Sequence, residues 1–503
     1  MRKKYTIYNL ISSLGGQMIS LLIGIVARAY FVRYLGIEMS GLNSLCTTII
    51  SSLSIAELGI GDAITFNLYK PLAENNRHRI IALMGYFKKI YVVIAFVVLV
   101  LGGIMIPFLP YFTNNLDYIL VLGVFLIFLI NSFISYFFSY KRVMLFSNQK
   151  DYLISSIHYM FYFAQNILQI IVLVLTSNIY LFLLLMVLAT LGENFLISYI
   201  VDKKYKYLRN KKVLLDKRSK KELFRDVKST LMFKLGRLIT ENEDNLIISF
   251  FIGVSNVGIY ANYLLIMTSL RSILLKIFKS CLASLGNLNA EKDDDYNYVI
   301  TNVLAFINLI ISGFVFVEFS LLINRFIPLW VGKKYLFTDK IVILLGFIIF
   351  LQCSRAIFST FRDGFGLFRV FNWRTLAEAF VNFVLSVFLV KKIGIYGIFL
   401  GTAISNVLFF IIEPIMVYSY KFHKPVRHYL LLFIKILGVS VFCIIIMGRL
   451  SSSLYINWIS LLILGFSTMI VYLIIVYLML RKDKSFIFLR NIGMDYFQKI
   501  KNR

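Results

Sequence analysis

Apolar runs long enough to cross a bilayer recur from one end of this chain to the other, and no other feature limits its fold as strongly. A helix needs about 20 apolar residues to cross the hydrocarbon. The sequence offers fourteen such segments, at 6–31, 40–68, 89–112, 117–140, 152–176, 179–201, 229–252, 257–284, 297–324, 338–361, 373–391, 395–420, 429–449 and 455–480. The first begins Arg2-Lys3-Lys4 and contains Ala27-Arg28-Ala29, which imitates a signal peptide and its cleavage site. Its apolar part is too long for a signal sequence, and thirteen spans follow it. The expectation is an all-α polytopic membrane protein of about fourteen transmembrane helices.

The charge distribution tests that count. Of 503 residues 59% are hydrophobic and 16% charged, yet Lys and Arg number 53 against 25 Asp and Glu, a net charge of +28. In a soluble chain such an excess points to nucleic acid; this chain is too apolar to be soluble. With the first segment's start in the cytoplasm, the inside stretches are 1–5, 69–88, 141–151, 202–228, 285–296, 362–372, 421–428 and 481–503. With Lys89 and Arg374 counted in their neighbouring inside loops, and Lys340, Lys391 and Arg449 with the outside connections they border, the inside holds 37 of the cations, the outside 8, and 8 lie within spans. That is the positive-inside bias, with both termini cytoplasmic and an even number of spans. A soluble enzyme, a secreted disulfide scaffold and a nucleic-acid partner are excluded. Cys46, Cys281, Cys353 and Cys443 are scattered, without a CxxC pair, and read as small buried side chains.

The basic stretch 202–228 reads as an anchor against anionic lipid. It separates an N-lobe, 1–201, from a C-lobe, 229–420; two further spans and a basic tail occupy 421–503. A short repeat crosses that divide. Tyr34-Leu35-Gly36 is followed by Gly41, and Phe251-Ile252-Gly253 by Gly258, at an offset of 217 residues. Each copy falls at an outside hairpin. The pattern predicts two six-helix lobes related by a pseudo-twofold repeat, a transporter architecture with its substrate between the halves.

Charges inside the spans carry the functional reading. Each costs about 2.5–3.5 kcal/mol at the bilayer centre if it faces lipid. The seventh span holds five, so it lines water or pairs with neighbours. At helical spacing Lys234, Arg237, Glu241, Asp244 and Asn245 share one stripe. In the first span Ser13, Gln17, Ser20, Gly24 and Arg28 share a face; in the second Asn43, Thr47, Ser54 and Glu57 do; in the eighth Arg271, Lys276 and Lys279 do. A permanently charged guanidinium as deep as Arg28 or Arg271 requires a counter-ion or an anionic ligand.

No catalytic constellation is present. His158 is the one histidine within a span and is a candidate proton relay. Asp293-Asp294-Asp295 lacks the spacing of a magnesium–diphosphate site and reads as a solvated acidic turn. There is no phosphate-binding P-loop, so ATP hydrolysis in this chain does not drive transport. The expectation is a transporter, without a cofactor, and not an enzyme.

Residues 28–91 then resemble a known family. Arg28-Ala-Tyr-Phe-Val-Arg33-Tyr-Leu-Gly36, Gly41-Leu42-Asn43, Glu57-Leu58-Gly59-Ile60-Gly61, Leu68-Tyr69-Lys70-Pro71-Leu72-Ala73-Glu74 and Lys88-Lys89-Ile90-Tyr91 are similar to polysaccharide-transport flippases. These are oligosaccharide-lipid exporters of the multidrug/oligosaccharidyl-lipid/polysaccharide (MOP) superfamily, which also holds multidrug (MATE) exporters and lipid II flippases. Beyond residue 91 the likeness is one of layout, including Gly394, Gly397 and Gly401 before the twelfth span. The resemblance implies two six-helix lobes around a central cavity, with two C-terminal helices appended. It implies that an undecaprenyl-diphosphate-linked oligosaccharide repeat unit crosses the bacterial cytoplasmic membrane for capsule, O-antigen or exopolysaccharide synthesis, with polymerase or assembly proteins as partners. Lipid II flippases place arginines of the first and eighth helices in the cavity, which implies Arg28 and Arg271 as diphosphate-binding residues here, with Lys276, Lys234 and Arg237. Glu57, Asp62, Glu241 and Asp244 are candidates for coupling to H+ or Na+, and Asn43 and Gln17 for shaping the cavity. The alternative is a cation-coupled multidrug exporter.

Overall fold

A computed structural model describes residues 2–57, 60–113, 116–208, 213–280, 294–365, 368–451 and 455–491. Helices account for almost all of them, and among the described residues there is no strand. In chain order they are α1 (Arg2–Leu53), α2 (Ile60–Ala73), α3 (Arg77–Met105), α4 (Leu109–Phe112), α5 (Tyr118–Ser147), α6 (Asp151–Thr176), α7 (Ile179–Lys204), α8 (Lys217–Phe251), α9 (Val254–Ser280), α10 (Asp294–Trp330), α11 (Asp339–Ser354), α12 (Ala356–Phe365), α13 (Phe368–Ile393), α14 (Ile395–Phe410), α15 (Ile412–Val417), α16 (Arg427–Ser451) and α17 (Trp458–Leu480). Among the described residues, eleven helical stretches are long and apolar enough to cross a membrane. The chain is a multi-pass membrane protein.

Polar residues at the turns set the helix starts. Their side-chain oxygens take the backbone N–H groups that a first turn leaves open. Asn76 accepts from Arg79 N at 3.0 Å, Asp117 from Leu120 N at 3.2 Å, Asn178 from Tyr180 N at 2.8 Å, and Asn457 from Ser460 N at 2.7 Å. Three features depart from the sequence expectation. The connection expected between the first two spans is a corner at Gly36 alone, with φ +82°, so that α1 carries the first span and much of the second. The second span is interrupted by a 3-10 turn at Ser54–Glu57. The helix of the seventh span begins at Lys217, inside the basic stretch expected to link the lobes, because Asp216 caps it by accepting from Ser219 N at 3.0 Å.

The chain forms two compact units: Met1–Ala261 with Thr375–Phe380, and Asn262–Arg374 with Val381–Arg503. In the first, α1 packs along α6, and α5 lies against α3 and α7. Its apolar core includes Phe31, Leu45, Phe87, Phe125 and Leu183, all nearly inaccessible. Glycine lets the tyrosines of α6 approach α1: a side chain at Gly16 would overlap the Tyr159 ring, and one at Gly24 would touch the Tyr162 hydroxyl.

The second unit is built on α10, which packs against α11, α16 and α17. Phe316 stacks on Phe350, which stacks on Phe433, with centroids 5.7 and 5.2 Å apart. The Tyr472 hydroxyl of α17 donates to the Ile310 carbonyl of α10 at 2.8 Å. The tenth expected span breaks at Arg355 into α11 and α12. Buried Asn308 of α10 covers that break, donating to the Cys353 and Ser354 carbonyls at 3.2 and 2.8 Å. A break in lipid persists only where another element supplies the missing partners. Asn308→Leu removes that donor and is expected to lower stability by about 1–3 kcal/mol, read as a lower unfolding midpoint of the purified protein in detergent; an unchanged midpoint would show that the break needs no support.

Candidate functional site

The two copies of the glycine pattern meet. Gly36 and Gly253 are the corners, at φ +82° and +118°, where other residues are strained. One residue beyond each corner lie Ile37 and Val254; five beyond lie Gly41 and Gly258. A Cβ on Gly41 would sit 1.9 Å from the Val254 carbonyl oxygen. A Cβ on Gly258 would sit 2.4 Å from the Ile37 carbonyl oxygen and 3.0 Å from Gly41 N. The offset of 217 that relates the copies turns the first contact into the second, so the crossing is self-complementary, as at a twofold interface. Only glycine allows two backbones this close.

Polar contacts cross between the same helices in both directions. Half-buried Arg28 of α1 donates from Nη2 to Ser40 Oγ at 2.5 Å and to the Gly258 carbonyl of α9 at 3.3 Å. The residue 217 further on is Asn245 of α8. It is buried and donates to Thr48 Oγ1 at 2.9 Å. Each repeat's first helix therefore bonds to the second helix of the other repeat. Ser51 adds a bond to Asn242 at 3.2 Å. Asp244 accepts from the buried Tyr260 hydroxyl at 3.5 Å.

The other expected site residues fall at several places. Gln17 and Asn43 lie half-buried on α1; Gln17 has polar partners, and the Asn43 carbonyl accepts from Thr47 Oγ1 at 2.8 Å. Glu57 stands in the 3-10 turn and accepts from the buried Tyr91 hydroxyl at 3.1 Å; nearby, Tyr136 donates to Ser54 at 3.1 Å. The side chains of Asp62, Lys234, Arg237 and Glu241 lie outside the described residues. Arg271 and Lys276 belong to the second unit, half-buried on α9, and Arg271 reaches the vicinity of Cys353 of α11. The crossing thus gathers Arg28, Asn245 and Asp244, and does not gather Glu57.

Two polar clusters bring together residues that the sequence does not connect, the candidate proton relay His158 among them. In the first unit, Arg142 Nη2 lies 2.9 Å from Glu193 Oε1 and 2.7 Å from Asn194 Oδ1, and His158 Nδ1 lies 3.2 Å from Glu193 Oε2. In the second, Arg374 and Glu413 form an ion pair at 2.7 Å with side chains 5% and 6% exposed. Glu193 and Glu413 fall within the expected spans 179–201 and 395–420, whereas both arginines fall in stretches that the cation count gives to the cytoplasm. The helices run on past the apolar runs, and α13 carries Arg374 inward to Glu413.

Residues 7–283 match the family described as polysaccharide biosynthesis protein, which covers more than half of the chain. The chain belongs to that family. No curated protein matches it. Its fold is similar to that of "Lipid II flippase MurJ, inward closed conformation", with a TM-score of 0.69 and 16% identity over 93% of this chain and 98% of that one. It is also similar to an inward-facing multidrug resistance MATE family transporter of the MOP superfamily, with a TM-score of 0.64 and 12% identity over 82% of this chain and 99% of that one. The MATE multidrug transporter DinF-BH matches at a TM-score of 0.60 and 15% identity, over 84% and 96%. The helical fold of the described residues is thus similar to those of these membrane proteins.

Two outcomes follow from this geometry. Gly41→Ala and Gly258→Ala each force the crossing apart and should cost about 1–3 kcal/mol, as overpacking does, whereas Gly15→Ala, with open space around it, should change the unfolding midpoint little. Arg374→Leu strands Glu413 and should cost about 3–5 kcal/mol, most of it recovered by adding Glu413→Leu; a double variant no more stable than the single one would refute the pairing.

Proposed function

We propose that this protein is a flippase that moves an undecaprenyl-diphosphate-linked oligosaccharide from the inner to the outer leaflet of the bacterial cytoplasmic membrane, for capsule, O-antigen or exopolysaccharide synthesis. The observation that carries the reading is the family match over residues 7–283, joined to a guanidinium within the first span, that of Arg28, which donates to Ser40 and to the Gly258 carbonyl. The lobes are 1–201 and 229–420, with fourteen spans and both termini cytoplasmic. The diphosphate binds in a hydrated space between them while the polyprenyl tail stays in lipid. Arg28, Arg271 and Lys276, with Lys234 and Arg237, attract it; Asn43 and Gln17 shape its path; Glu57, Asp62, Glu241 and Asp244 are where a coupling H+ or Na+ exchanges.

The mechanism is alternating access, which runs only if the substrate binds the two states with different free energy. The glycine crossing at the outer hairpins would part in the outward-facing state. The bonds from Arg28 to Ser40 and Gly258 would break with it and leave donors for a diphosphate. Arginine suits that exchange, since its planar fork serves either set of oxygens.

The fold's likeness to MATE transporters favours a second reading, a cation-coupled multidrug exporter. Arg28→Ala separates the two. For a flippase, surface polymer falls about tenfold or more at normal membrane insertion, and Arg28→Lys restores only part of it. Unchanged polymer together with new drug sensitivity would establish the exporter instead.

A further inference from the structure

Two acids within the spans meet an arginine, Glu193 with Arg142 at 2.9 Å and Glu413 with Arg374 at 2.7 Å. Glu318 of α10, inside the expected span 297–324, meets no cation among the described residues. It is half-buried and faces α17. Its Oε1 lies 2.5 Å from Thr468 Oγ1, and its Oε2 would lie 3.7 Å from a Cβ on Gly465.

The helices packed on α10 bring no charge to this depth. On α16, Ser440 donates to the Gly313 carbonyl at 3.4 Å and Gly448 stands against Leu321. The stretch between them, 441–447, is apolar, with Cys443 its one titratable group, and the cations Lys435 and Arg449 lie beyond it at either end. On α17, Tyr472 reaches Ile310 and Gly465 stands against Leu322; residues 466–471 between them are uncharged. On α11, Gly346 stands against Phe316 and Ser320, and residues 343–350 around it carry no polar side chain. The nearest charge on α10 itself is Arg325, which donates to the Ser451 carbonyl.

The hydrogen bonds point the same way. Thr468 has one hydroxyl proton and two acceptors for it, Glu318 Oε1 and the Gly465 carbonyl at 2.9 Å. An ionised Glu318 would depend on that shared proton alone, in surroundings that penalise an unpaired charge. A protonated carboxyl removes the competition, since it can donate to the hydroxyl oxygen and leave the hydroxyl to Gly465. We propose that Glu318 is a proton-binding site, a neutral carboxylic acid set against Thr468 where α17 packs on α10. Loss of the proton puts a bare charge into that contact, so the packing of the last span on α10 depends on protonation. The site is separate from Glu57, Asp62, Glu241 and Asp244 and holds whichever substrate crosses.

Dicyclohexylcarbodiimide tests this on the full chain in a neutral detergent. It reacts with a protonated carboxyl in apolar surroundings: the acid's proton passes to a carbodiimide nitrogen, the oxygen bonds to the central carbon, and rearrangement leaves a stable N-acylurea. Peptide mass spectrometry at pH 7 should find the adduct on Glu318, and Glu318→Gln should lose it. Glutamine keeps a neutral head that can donate to Thr468, so the unfolding midpoint of Glu318→Gln at pH 7 should equal or exceed that of the natural chain. The folded carboxyl holds a proton that the unfolded chain gives up, so the natural chain should lose stability relative to Glu318→Gln as pH rises from about 6 to about 9. No adduct on Glu318, a Glu318→Gln protein less stable at pH 7, or a difference between the two proteins that ignores pH would each overturn the proposal. So would protection from the carbodiimide by sodium chloride but not by choline chloride, which would make the ligand a metal cation.

Discussion

Two backbones cross at Gly41 and Gly258 with no side chain between them, and much of the first unit is arranged around that contact. Helices in lipid gain little from burying apolar surface against each other, so close approach and hydrogen bonds carry more of the association. The crossing provides both. It brings the carbonyls of Ile37, Val254 and Gly258 to the facing helix, and it sets Arg28 and Asn245 to reach across in matching directions. Because the two copies are related by one sequence offset, a single arrangement used twice generates both glycine contacts.

The charges within the spans follow a second rule. A polar group in hydrocarbon keeps its place only if its partner is built in. Glu193 has Arg142 and His158; Glu413 has Arg374; Glu57 has Tyr91; Glu318 accepts from Thr468 at 2.5 Å. Most of these partners lie on another helix, far away in sequence. Asn308 does the same for a pair of backbone carbonyls. These contacts fix which helices are neighbours, whereas apolar packing between spans is permissive. Several of the acids within the spans therefore hold helices together.

On the basic face the chemistry differs. Cations there spread over tyrosines, with Arg77 over Tyr207, Lys150 over Tyr205 and Lys203 over Tyr199, so each keeps its charge near water while its stem covers an aromatic surface. That face is more than an orientation signal. Tyr205, Leu215 and Leu223 from the basic stretch 202–228 join the apolar core of the first unit, which ties the stretch down.

The sequence alone determined the class of the fold and most of its helices, because the thickness of a bilayer imposes a length and a composition that can be counted. It also carried the glycine repeat and the depth of Arg28, since a charge in lipid and a glycine at a fixed offset are visible without coordinates. Tertiary structure decided what those signals touch. That Gly41 rests on Val254, that Arg28 bonds to Gly258, and that Arg142 and Arg374 turn inward to meet acids depends on which helices stand side by side. No local pattern encodes that choice, because an apolar helix surface fits many neighbours and only the full set of polar partners selects one arrangement.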